Sequence, residues 1–86
     1  MVAKLEEGTT TVPLDKIALI SFVEREPCDG GDRNYILVTL MTGAKVAFAA
    51  QRGLSQEQAK ELYQAVAKAY EHDTSFDVDA WRPTER

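Results

Sequence analysis

The 86-residue chain has one cysteine, one histidine, and no continuous apolar run longer than a few residues. Cys28 alone cannot close an internal disulfide, so stability must come from packing, and a reducing, cytoplasmic setting is expected. The longest apolar runs, IALI and VAFAA, fall far short of the ~20 residues a membrane helix needs. MVAKLEEGTTTV carries no apolar stretch after Lys4, so no secretory signal is expected. Positive charge is also scarce and dispersed. Ten Lys and Arg face fourteen Asp and Glu, for a net charge of −4, and the basic residues are spread from Lys4 to Arg86 without clustering. That disfavours a phosphate backbone as partner.

The same scarcity limits chemistry. A nucleophilic thiol needs a base held by a third group, and the loop around Cys28, PCDGGDR, supplies acids. His72 falls at the expected end of a helix, where it caps the last carbonyls. Asp29 and Asp32 flank Gly30-Gly31, but the alternating acids and terminal glutamate of a calcium loop are missing. No glycine motif precedes a Lys-Ser/Thr pair, so no phosphate cradle is read. Catalytic, metal and cofactor residues are all expected to be absent, and the chain is read as a non-enzyme.

What is present is patterning. An apolar share of 44% over this length predicts a single domain, 1–86, with one core. Residues 1–11 read as frayed or as a short edge strand, and Pro13 suits an edge or an entry position. Strands are expected over 17–25, 35–41 and 44–50, with Pro27 to Arg33 as a flexible loop. In 17–25, alternation sets Ala18, Ile20 and Phe22 on one face and Leu19, Ser21 and Val23 on the other. Ser55 with Gln58 forms a capping box, Leu54 offers a staple, and Ala59, Leu62, Tyr63, Val66, Ala69 and Tyr70 recur at helical spacing. A helix over 56–72 follows, then a tail over 73–86. The fold class is α+β: an antiparallel three- to four-stranded meander, one C-terminal amphipathic helix packed on one face, and an extended tail.

The stretch NYILVTLMTGAKVAFAA decides which side chains share a face. A two-residue turn at Thr42-Gly43 would oppose Thr39 to Val46 and mix large and small groups. A three-residue loop, Met41-Thr42-Gly43, shifts the partner by one and flips the second strand. Val38 then faces Val46, Ile36 faces Phe48, and Leu40 faces Ala44. Gly43 takes the left-handed position that this loop demands. The bulky groups gather on one face for the helix. The other face holds Tyr35, Leu37, Thr39, Lys45, Ala47 and Ala49, joined by Leu19 and Val23, and it is too apolar for a solvated sheet face. Three coverings stay open for it: the tail, a second copy, or solvent.

A strand after VPLDKI, a hairpin and a long helix resembles in part the DNA-binding domains of LytTR-type response regulators, across the hydrophobic spacing of Pro13 to Phe48. The basic recognition residues of such a reader have no counterpart here. The sequence therefore points to a small acidic accessory or regulatory module that binds protein through this second face, its edge and the tail. The contact residues would be Tyr35, Leu37, Lys45, Ala47, Ala49 and Trp81, with a two-fold homodimer as one form. The alternative is a nucleic-acid-associated regulator using Arg25, Arg33, Lys45 and Arg52.

Overall fold

The computed structural model describes residues 2–83. Its elements are β1 (Lys4–Glu7), β2 (Thr10–Pro13), a 3-10 turn (Leu14–Lys16), β3 (Ile17–Cys28), β4 (Gly31–Leu40), β5 (Lys45–Phe48), α1 (Gln56–Glu71) and β6 (Phe76–Asp77). Strands β3, β4 and β5 form an antiparallel meander, and α1 packs on it. The expected α+β architecture is therefore present. A second sheet, in the order β2-β1-β6, stands beside it.

The helix forms where its end signals lie. Ser55 accepts from the Gln58 amide while the Gln58 side chain accepts from the Ser55 amide, satisfying two otherwise orphaned donors. Leu54 and Ala59 are both buried, as a hydrophobic staple requires. At the other end Asp73 is left-handed (φ 53°), its amide bonding Tyr70 and that of Thr74 bonding Ala69. Those two bonds make a Schellman stop. The Tyr70 hydroxyl then donates to the Ile17 carbonyl, tying the helix end to the start of β3.

The loop at 41–43 is the three-residue one. The pairs Val38–Val46 and Ile36–Phe48 form. The Leu40 amide donates to Ala44 and the Gly43 amide to Leu40, with Gly43 at φ 92°. Ile36, Val38 and Phe48 are thereby buried beneath Leu62 and Val66 of the helix. Each such side chain contributes roughly 1.5–3 kcal/mol of burial free energy before ordering entropy is counted.

Four boundaries differ from the sequence expectation. Over the described residues 2–11 fraying gives way to the edge-strand alternative: β1 and β2 pair as a hairpin with β2 at the sheet edge, Leu5 opposite Val12 and both in the core. Pro13 does end an edge strand. The stretch from Pro27 to Arg33 is not a loose loop, because β3 and β4 stay paired to Cys28–Gly31 across a turn at Asp29-Gly30. Gly30 at φ 89° permits that tight turn. The third strand stops at Phe48 instead of reaching 50, because Ala49 turns left-handed. Within 73–86, β6 runs parallel to β1 and buries Val78 in the common core; Thr84 onward lies outside the described residues.

Two bulges in β3 adjust its faces. Register shifts fall between Ile17 and Leu19 and between Val23 and Glu26. The first absorbs Ala18, so Ile17 is buried opposite Leu40 although simple alternation would set it beside Leu19. The second absorbs one residue at Glu24-Arg25, with Arg25 left-handed at φ 56°. Buried Asn34 holds it: its carbonyl oxygen accepts from the Arg25 amide (2.9 Å), and its NH2 donates to the Leu54 carbonyl (3.1 Å).

Candidate interaction surface

The meander has one face against the core and one face turned away. Core-facing Ile36, Val38 and Phe48 alternate with Tyr35, Leu37, Thr39, Lys45 and Ala47, so the latter line the outer face. Across β3, Leu19 pairs with Thr39, Ser21 with Leu37, and Val23 with Tyr35. The face thus reads Leu19–Thr39–Lys45, Ser21–Leu37–Ala47 and Val23–Tyr35 in successive rows. Leu19 is 57% exposed, a high value for a leucine in the middle of a strand. Leu37, Val23, Ser21 and Thr39 are partly exposed, and Ala47 and Lys45 are exposed.

Among the described residues, up to Pro83, the tail does not cover this face. Phe76, Val78 and Trp81 pack against the core that holds Leu5, Ile36 and Leu62, which lies on the opposite side of the sheet. Trp81 is therefore not a neighbour of Leu37. Its ring lies under the Arg52 guanidinium, 5.6 Å from the centroid, and Arg52 also donates to the carbonyls of Val78 (2.9 Å) and Trp81 (3.0 Å). Ala49 leaves the face as well. Its left-handed backbone turns its side chain into the core, 1% exposed, and its amide donates to the Glu7 carboxylate at 2.8 Å. Tyr35, Leu37, Lys45 and Ala47 are the predicted contact residues that share one surface.

At the far end of the face stands a charged cluster. Glu26 accepts from Arg33 Nε (2.8 Å) and Nη2 through one oxygen and from the Tyr35 hydroxyl through the other. The Arg33 guanidinium lies over the Tyr35 ring at 5.2 Å, which helps leave the ring 7% exposed. The Tyr35 hydroxyl, and then Arg33, hold the Glu26 carboxyl below its usual range. The same hydrogen bond, with burial second, raises the Tyr35 phenol, and Glu26 raises Arg33. Reading Pro27 to Arg33 as a loop leaves Glu26 without a partner, so the sequence does not point to it. An Asp-Gly hairpin turn opposes residue 28 to 31 and hence 26 to 33, so the Asp29-Gly30 pair was the available signal.

Cys28 is exposed, and no group of three or more His, Cys, Asp or Glu among the described residues is placed to hold a metal. An apolar cleft between Val12-Pro13 and Leu40-Met41 has a volume of about 200 Å³, below the ~300 Å³ at which ligand pockets usually begin. No described helix is long and apolar enough to cross a membrane. Of the four basic residues considered for nucleic acid, Arg33 is paired with Glu26 and Arg52 is folded onto the tail. No protein-family model matches the chain, and neither a curated protein nor a solved structure matches it significantly.

Proposed function

We propose that the chain is a small, non-enzymatic, cytoplasmic protein–protein interaction module, accessory or regulatory in role, whose working surface is the outer face of the β3-β4-β5 sheet. The observation that carries this reading is the apolar patch of Leu19, Leu37, Val23 and Ala47, spread over three adjoining rows of a face that the described tail residues leave open. Exposed apolar groups that adjoin one another in this way mark contact sites more often than scattered ones do. The face has the anatomy of a small interface: Leu37 at its centre, with Lys45 at one end and the Arg33–Glu26 pair at the other. Tyr35, 7% exposed beneath Arg33 and hydrogen-bonded to Glu26, presents little area of its own and instead fixes the charged end of the face.

The test is a pull-down from the native host with the intact chain and with Leu37→Asp, with circular dichroism to confirm that both are folded. A partner retained by the intact chain and lost by the variant supports the reading. A partner held equally by Leu37→Asp and Leu19→Glu places the working surface elsewhere.

A further inference from the structure

The two edges of the meander differ, and the difference points to how the module meets a second copy of itself. The bond from the Leu40 amide to the Ala44 carbonyl fixes the phase of the β4–β5 ladder. In an antiparallel pair, bonded and non-bonded positions alternate, so Ala44, Val46 and Phe48 bond to β4 while Lys45 and Ala47 point their N–H and C=O groups away from it. One position further, the outward amide of Ala49 is already taken by Glu7. The free edge of β5 is thus two residues long and ends in a side-chain cap. The β3 edge is guarded otherwise, by bulges at Ala18 and at Glu24-Arg25 and by Pro27. Those devices blunt an edge against pairing.

We infer that β5 pairs antiparallel with β5 of a second copy across a two-fold axis at Val46, joining two meanders into one six-stranded sheet. This rests on the reading of the chain as an interaction module and names the second copy as a partner.

Register is what selects that occupant. With the axis at Val46, Lys45 opposes the second copy's Ala47 and the reverse, so both outward residues on each strand exchange bonds. Val46 meets its own copy at a non-bonded position, where side chains approach closely and β-branched pairs are favourable. Each Lys45 stem lies along a small alanine. Moving the axis to position 45 would set Lys45 directly against itself, a like-charge pair that is destabilising. Moving it to position 47 would require the Ala49 amide, which Glu7 holds. Position 46 alone uses every free group, opposes no like charges and leaves the Glu7 bond intact. The outer faces of the two copies then run on from one another through Ala47. A contact of this size belongs to the weak class, with a dissociation constant on the order of 10–100 μM.

Sedimentation equilibrium tests this on the full chain up to about 1 mM, with Ala47→Pro and Ala47→Lys beside the native sequence. Proline removes the outward donor at a position that donates nothing to β4, so the monomer keeps its ladder. Lysine keeps every backbone group but opposes Lys45 across the axis. Each is expected to raise the dissociation constant by about tenfold or more. Oxidative cross-linking reads the register in a Cys28→Ser background. Val46→Cys is expected to form a disulfide dimer, because facing Cα atoms at a non-bonded pair lie ~4.5 Å apart. Lys45→Cys sits on a diagonal of ~7–8 Å and is expected not to. A native chain that stays monomeric to about 1 mM overturns the inference and leaves the outer-face reading intact, since Leu37→Asp tests that separately. A dimer that survives both folded Ala47 variants, or that cross-links at position 45 in preference to 46, overturns it equally.

Discussion

Asn34 offers the sharpest test of how this chain holds its shape. Its side chain is buried and spans two pieces of backbone: the Arg25 amide at the β3 bulge and the Leu54 carbonyl ahead of the helix. Replacing it with alanine removes both bonds and leaves a donor and an acceptor short of partners. At about 0.5–1.5 kcal/mol net per bond, the loss comes to about 2 kcal/mol. For a domain of this size that corresponds to a fall in Tm of about 8–16 °C. The left-handed Arg25 adds to the cost, because a non-glycine residue stays in that conformation only where its surroundings hold it. Asn34→Asp keeps the acceptor for Arg25 but sets a carboxylate against the Leu54 oxygen, so it should destabilise at least as much at neutral pH. Protonation restores a donor, so its deficit should shrink in acid. Urea unfolding followed by circular dichroism measures both variants, with an unchanged m value showing that two-state behaviour is kept. A loss below about 0.5 kcal/mol for Asn34→Ala would show that the bulge stands without its side-chain brace.

Two further outcomes are expected. Glu26 has a folded-state pKa below its ordinary value of 4.5. Its contribution to stability is therefore complete above that value and is lost as pH falls through the lower folded one. Tyr35 runs the other way. Its pKa is raised above 10.0, so its contribution holds up to that value and is lost as pH rises through the folded one. Glu26→Gln should flatten the acid limb of a stability-versus-pH curve, and an acid limb unchanged in the variant would refute the pairing. Arg52→Ala should loosen the tail, at a cost of about 1–2 kcal/mol for two carbonyl contacts and the stacked ring. Trp81 is the only tryptophan, so its fluorescence reports that loosening directly, together with faster amide exchange at Val78 and Trp81.

How much of this was legible in the sequence varied with the kind of signal. The helix was readable because its limits are local chemistry: Ser55 and Gln58 at one end and the break at Asp73 at the other. The 41–43 loop was readable because only one parity put Ile36, Val38, Val46 and Phe48 on a common face. The β1–β2 hairpin was not, since Leu5 and Val12 are single apolar residues in polar company. Their burial depends on a parallel partner, β6, about seventy residues away. The tail misled for the same reason. Phe76 and Val78 alternate with acids as a strand should, but alternation says nothing about which sheet receives it.

Bulges account for the remaining errors at the surface, and they bear on function most directly. Strict alternation from Phe22 outward would place Ala18 inside and Ile17 outside, and would set Glu26 on the inner face. Each extra residue in β3 reverses that parity once. Ile17 returns to the core at one end, and Glu26 is delivered to the outer face at the other, opposite Arg33 and within reach of the Tyr35 hydroxyl. The same two irregularities interrupt the β3 edge, so the strand that completes the outer face is also the one least able to accept a new neighbour. What is left unguarded lies across the sheet, at Lys45 and Ala47. The outer face of the meander, once the ladder is phased, is a face with one unguarded edge.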